Sequence, residues 1–260
     1  MLIIFSSMFF YEYPVEKLNE ACEAAEYDGI EFWIETPHYW IDRDKEKLEE
    51  IKHLIKSVHC GVLDLNPCSV NEMIQEATLK TNLHGMDIAK AVKSPYTIHA
   101  GKRSALREPV EEDYKANEKY FRIISKTGRL KGVEILLENS EAKINNLCRS
   151  FEEIQWFARK FGFRITFDIN HALKNGDAEK YVGLDLIRNV HVSSSDVDGK
   201  HVASRFSQDA RRILEMLRDA GYDGIITVEL DDLGYGNMGF RDKIEELKKE
   251  RKFLESVFRD

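Results

Sequence analysis

Six side chains able to bind a cation or carry a proton, His59, His99, Glu138, Asp168, His191 and Glu229, each stand at or near the end of a short apolar run. Neutral imidazole and carboxylate together are the donor set of Zn²⁺, Mn²⁺ and related divalent ions. The tetrapeptide Asp168-Ile169-Asn170-His171 adds a second donor beside the first, and His201, with Asp198 ahead of it, can return over the same place from the following loop. His59, His99, His171, His191 and His201 make five of the eight histidines. Carboxylates gathered this closely repel unless a cation or a proton neutralises them, so the pattern points to a divalent-metal site. His53 and His84 lie in helical stretches and read as surface residues. Cys60 reads as a packing residue facing away from His59. His38 and Trp40 follow a strand and could cover the mouth of a pocket. Lys102, Arg103 and Arg107 come directly after His99 and could hold a phosphate.

Positioning these residues requires many strand ends on one side of a sheet. Apolar runs at 2–6, 29–35, 57–60, 96–99, 133–138, 164–168, 189–193 and 224–230 read as strands. Amphipathic stretches between them read as helices: Val15–Glu26, Asp44–Lys56, Val70–Val92, Glu111–Thr127, Phe151–Phe161, Asp209–Ala220 and Arg241–Phe258, with a weakly marked one inside Asp177–Ile187. Eight strands, each followed by a helix, predict one α/β domain over 1–260: a parallel eight-stranded (β/α)₈ TIM barrel, whose active site lies at the carboxyl ends of the strands. Glu26-Tyr27-Asp28-Gly29-Ile30 recurs as Gly221-Tyr222-Asp223-Gly224-Ile225, each time between a helix and a strand, where glycine would supply a left-handed turn.

Alternation along each strand separates two faces. The apolar set, such as Ile98, Leu137, Phe167, Val190 and Val228, must face the helices. Thr97, His99, Glu138, Thr166, Asp168, Asn189, His191 and Glu229 then point into the barrel. Lower down, Glu31, Glu134 and Arg164 predict a buried ion cluster in which Arg164 pairs with a glutamate, a structural role.

The chain has 260 residues and a formal net charge of -8, so no broad basic field gathers nucleic acid. Four scattered cysteines without a CxxC pair fit reduced thiols in a cytoplasmic protein. The apolar start lacks a basic region and a cleavage motif and reads as a first strand. No apolar run reaches the ~20 residues of a membrane helix.

Gly29-Ile30-Glu31-Phe32-Trp33, Val58-His59-Cys60, Ile98-His99-Ala100-Gly101, Leu137-Glu138-Asn139, Phe167-Asp168-Ile169-Asn170-His171, Val190-His191-Val192 and Val228-Glu229-Leu230 together resemble the xylose isomerase-like barrels. That superfamily also contains endonuclease IV (AP endonuclease family 2). The resemblance implies one of two activities. In sugar isomerases and epimerases, one ion would be held by Glu138, Asp168, His191 and Glu229. Glu138 and Glu229 would be the catalytic proton carriers beside a carbonyl, with His171 on a substrate oxygen and a sugar, sugar phosphate or related polyol as substrate. In the endonuclease IV branch, up to three zinc ions would be held by those residues with His59, His99, His171, His201 and Asp198, and DNA with an abasic site would be the substrate. Against that branch, Asp198-Gly199-Lys200-His201 is one residue longer than its Asp-x-His. Ala203-Ser204-Arg205-Phe206 replaces a glycine-rich segment, and His38 and Val62 stand where an arginine and a tyrosine are expected. These departures count against DNA insertion more than against metal binding. Oligomeric state leaves no motif.

Overall fold

The computed structural model describes residues 1–40 and 45–258. Its eight barrel strands are β1 (Leu2–Ser6), β2 (Ile30–Trp33), β3 (Ile55–His59), β4 (Tyr96–Ile98), β5 (Ile135–Glu138), β6 (Arg164–Asp168), β7 (Ile187–Val192) and β8 (Ile225–Val228). They pair in parallel and in chain order around a closed ring, β8 returning to β1 with Ile4 opposite Thr227. This is a single (β/α)₈ TIM barrel. A two-residue hairpin, Ser194–Ser195 against His201–Val202, rises after β7.

The helices are α1 (Lys17–Ala24), α2 (Pro37–Trp40), α3 (Lys45–Ile51), α4 (Glu72–Val92), α5 (Glu111–Lys131), α6 (Phe151–Phe161), α7 (Ile169–Asn175), α8 (Gln208–Asp219) and α9 (Phe240–Phe258). Their ends follow local chemistry. Ser150 and Ser207 cap α6 and α8 by accepting from the backbone N–H groups of Glu153 and Ala210. Gly132 and Gly162 end α5 and α6 in the left-handed conformation that L side chains resist. In the repeated pentapeptide it is the first residue, Glu26 or Gly221, that takes the left-handed turn. Gly29 is needed for space, since a Cβ there would lie 2.3 Å from the Leu54 carbonyl oxygen.

Two expected elements change. The helix expected over Asp44–Lys56 begins at Asp44, outside the described residues, and stops at Ile51; Ile55 already belongs to β3. Leu54 and Ile55 fit both a helical and a strand spacing, and pairing of Ile55 with Ile30 decides it. The helix expected inside Asp177–Ile187 is a single 3₁₀ turn, Ala178–Tyr181, while the true sixth helix, α7, starts directly after Asp168.

The two faces of each strand separate as alternation requires. Ile98, Leu137, Phe167, Val190 and Val228 pack in the layer between sheet and helices. Inside the ring, Thr97 Oγ1 lies 2.9 Å from Thr166 Oγ1, and Thr227 donates to Asn189 at 2.8 Å. These hydrogen bonds satisfy polar groups that would otherwise be costly to bury. The expected buried ion cluster does not form as one unit. Arg164 Nε does sit 3.8 Å from Glu134 Oε1, but both side chains are nearly half exposed. Arg164 begins β6 and Glu134 directly precedes β5, both at the open lower rim, and Glu134 is shared with Arg188. Glu31 is fully buried and belongs to different company, described next.

Candidate metal centre

The structure brings Glu138, Asp168, His191 and Glu229 together: one ligand atom from each lies within 4.8 Å of all the others, and all four residues are buried. Three strand ends and the loop just past β8 deliver them. Asp168 is fixed twice, as the last residue of β6 and as the N-cap of α7, where Oδ1 accepts from His171 N at 2.6 Å. That leaves Oδ2 buried with no hydrogen-bond partner, a condition it shares with His191 Nδ1 and Glu229 Oε2. Orphaned buried polar atoms are unfavourable. Two atoms bound to one cation at about 2.2 Å can be up to about 4.4 Å apart. The ligand atoms of the four-residue group lie within 4.8 Å of one another, on the scale of one coordination sphere, and its donors are those a divalent ion takes, so the residues fit such an ion.

Glu31 supports this group from below. Its Oε2 accepts from Ser57 Oγ at 2.7 Å and Asn189 Nδ2 at 2.9 Å, and its Oε1 lies 3.0 Å from His191 Nε2. His191 Nδ1 is thereby turned toward Glu138 Oε2 at 3.5 Å and Glu229 Oε2 at 3.3 Å. A carboxylate behind a ligating histidine orients the ring and raises its basicity.

Two smaller groups flank the centre. His59 Nε2 and His99 Nε2 each lie 3.3 Å from Glu138 Oε2 and 3.2 Å from one another. His59 Nδ1 donates to the Cys60 carbonyl at 3.0 Å, which leaves Nε2 as the atom facing Glu138. On the other side His171 and His201 meet Glu141. His171 Nδ1 donates to the Asn139 carbonyl at 2.9 Å, again leaving Nε2 toward the cavity.

Burial opposes charge on His59, but Glu138 outweighs it and the ring is pushed up to about 9. His201 is likewise raised to about 9 by Glu229 against its burial. Burial takes His99 down to about 4. Despite burial, neighbouring imidazoles hold Glu138 and Glu229 well below the usual carboxylate range, whereas burial raises Asp168.

A cavity of about 580 Å³ opens over the centre and is walled by Ser6, Trp33, His59, Glu138, Lys174 and Glu229, among others. A side pocket of about 290 Å³ shares His99 and His171 with it. Several expected residues stand elsewhere. Asp198 lines the cavity but is exposed and lies outside the ligand groups found among the described residues. Arg103 is turned onto its own loop, donating to the Glu108 carbonyl at 2.7 Å and lying 4.0 Å from Asp113. Lys102 lines the side pocket, and Arg107 is exposed. His38 and Trp40 do not cover the mouth: His38 bonds the Glu12 carbonyl and Trp40 packs edge-on against His84. His84, expected on the surface, is half-buried and hydrogen-bonds the Tyr39 hydroxyl at 3.1 Å. Cys60 is buried in the core, although its sulfur lies near the His59 and His99 nitrogens.

The model of the xylose isomerase-like TIM barrel family matches residues 15–257, and the chain belongs to that family. It is 31% identical to an uncharacterized protein of Methanocaldococcus jannaschii, over 99% of each chain. It is 20% identical to fructoselysine 3-epimerase of Escherichia coli O157:H7, over 84% of this chain and 86% of that protein. Among solved structures it resembles the IOLI protein crystallised with a zinc atom, with a TM-score of 0.80, 18% identity and 99% of each chain covered. None of the described helices is long and apolar enough to cross a membrane.

Proposed function

We propose that the protein is a divalent-metal-dependent isomerase or epimerase acting on a sugar, sugar phosphate or related polyol. The observation that carries this reading is the buried group Glu138, Asp168, His191 and Glu229, with orphaned donor atoms on three of its members. A bound Zn²⁺ or Mn²⁺ would act as a Lewis acid on the substrate's adjacent oxygens and lower the energy of an enediolate. The side chains do the rest. Glu138 and Glu229 stand on the ring positions of β5 and β8, with β6 and β7 between them, so they approach a substrate from different sides of the mouth. One takes the proton from the carbon beside the carbonyl and returns it to the neighbouring position, or the other, first protonated from solvent, delivers a proton to the opposite face. His171, its Nδ1 occupied by the Asn139 carbonyl, offers Nε2 to a substrate oxygen. The zinc-bearing IOLI neighbour and the 3-epimerase relative support the choice of cation and reaction.

The test is exchange of a substrate C–H proton with deuterated water, followed by NMR across a panel of ketoses, aldoses and their phosphates. Exchange should occur with metal present and fall by about 10²–10⁴-fold in Glu138→Gln and Glu229→Gln. A panel showing no exchange rejects the reading.

One observation favours a second reading, phosphodiester hydrolysis at abasic sites in DNA. The triangle His59, His99 and Glu138, with sides of 3.2–3.3 Å, has the dimensions of one face of a tetrahedral zinc site. Three ions per chain and cleavage of a duplex with one abasic site would establish it.

A further inference from the structure

At the opposite end of the barrel, where the strands begin, two grooves meet. One, of about 520 Å³, is walled by Lys52, Lys56, Lys93 and Arg188, with Asp223 as its acid. The other, of about 380 Å³, adds Lys90 and Lys131 to Lys93 and Arg188, with Glu134 as its acid. Six cationic side chains thus line the grooves on a chain whose acids outnumber its bases, 46 to 38. Lys52 is paired with Glu49, Lys131 with Asp87 and Arg188 with Glu134, while Lys56, Lys90 and Lys93 make no ion pair among the described residues. Because charges beyond about 8 Å are screened at physiological salt, this local balance governs what the grooves attract.

Cations at helix ends have an ordinary explanation, since they complement the helix dipole. It covers Lys90 in the last turn of α4 and Lys131 in that of α5. It does not cover Lys93. This residue ends α4 in the left-handed conformation at φ 58°, where α5, α6 and α7 all use glycine. A non-glycine residue there is strained, and Lys90 already serves the dipole. Glu26 takes the same conformation after α1, so the backbone alone does not call for a cation. What distinguishes Lys93 is an ammonium group that makes no ion pair among the described residues and lines both grooves.

We propose that this end of the barrel binds a small molecule carrying two or more phosphate groups, with Lys93 and Arg188 at the junction of the grooves and the remaining lysines on either side. The combined space lies in the range of small-ligand sites, and lysine serves phosphate as a point charge. Arg188 is held 3.4 Å from Glu134 and can swing onto an anion.

The experiment is calorimetric titration of the full-length protein with inorganic triphosphate, using inorganic phosphate as the low-charge comparison. Triphosphate should bind, more weakly as salt is raised, and phosphate should bind far less. Lys93→Gly removes the charge and at the same time relieves the backbone. Its Tm should stay the same or rise, while triphosphate affinity falls roughly tenfold or more. Arg188→Ala should weaken binding as well, and Lys115→Ala on the outer face of α5 should not. A well-folded Lys93→Gly that binds triphosphate as tightly as the parent overturns the proposal. So does absence of binding at millimolar triphosphate. Neither result bears on the reaction at the other end of the barrel.

Discussion

Glu31 Oε1 lies 3.0 Å from His191 Nε2, on the side of the ring away from Glu138 and Glu229. The contact crosses the barrel interior from β2 to β7, strands that are not neighbours, and both residues have no solvent exposure. A charge in such a place is unfavourable unless it has a partner, and the imidazole is that partner. Glu31→Gln keeps the shape of the side chain but loses the charge that makes His191 a strong donor. The expected result is a loss of metal affinity of about 10–100-fold, measured by competition with a chromophoric chelator. Unchanged affinity would mean that His191 does not ligate through Nδ1.

Part of this arrangement is legible in the sequence. Period-two alternation assigns Glu138, Asp168 and His191 to the interior, because the opposite faces of their strands are continuous apolar runs. Parity does not give depth. Arg164 has the same parity as Asp168, yet it begins β6 at the open rim and is exposed. It also cannot reveal contacts across the lumen, so Glu31 is grouped with Glu134 and Arg164 rather than placed behind His191. Asp168 as a helix cap is hidden for another reason: α7 spans only seven residues, too few for helical periodicity to show. Lys174, carried at the end of that helix onto the cavity wall, is missed with it. His84 illustrates the remaining limit, since an amphipathic pattern does not distinguish a surface position from the edge of a packed one.

Metal removal should cost stability as well as activity. Three of the four central residues hold a buried ligand atom that makes no hydrogen bond, and the four are gathered only by the fold, so an ion there binds the folded chain and not the unfolded one. At a free metal concentration of a hundred times Kd this linkage contributes about 2.7 kcal/mol. Dialysis against a chelator should lower Tm by several degrees, and added Zn²⁺ or Mn²⁺ should restore it. Metal analysis should return one ion per chain if the central group alone is filled. A Tm indifferent to chelation, in protein shown to have contained metal, would contradict the assignment of these residues.

The loop that follows β4 and leads away from His99 depends on a close approach. A Cβ on Gly101 would lie 2.2 Å from Cys68 Sγ and 3.0 Å from Cys68 Cβ. The position is pinned from both sides, because Gly101 N donates to Asn117 at 2.8 Å and Cys68 Sγ donates to the Asp113 carbonyl at 3.3 Å. Gly101→Ala should destabilise the protein by about 1–3 kcal/mol, the usual range for overpacking a well-filled interior. Gly101→Ala combined with Cys68→Ala removes the obstructing sulfur and should recover part of the loss. The Tm values of the two variants decide this, and a double variant no more stable than the single one would show that the clash lies elsewhere.

Cys22 should make stability depend on pH in the alkaline range. Its thiol is 3% exposed and donates to the Tyr27 carbonyl at 3.3 Å. Burial, followed by the nearby Asp28 carboxylate, pushes it from 9.0 up to about 11. Because the folded value lies above the unfolded one, the proton favours the folded state. This contribution is complete below pH 9 and is lost as pH rises toward about 11, since the unfolded chain ionises first. Tyrosines and lysines titrate in the same range, so the informative quantity is the difference between parent and Cys22→Ala in urea unfolding at pH 8, 9 and 10. That difference should shift steadily against the parent above pH 9. Thiol labelling provides an independent check: all four cysteines are buried, so the native protein should react slowly at pH 8 and the unfolded chain should release four equivalents. Fast labelling of native Cys22 would show that the thiol is accessible and remove the basis for the pH effect.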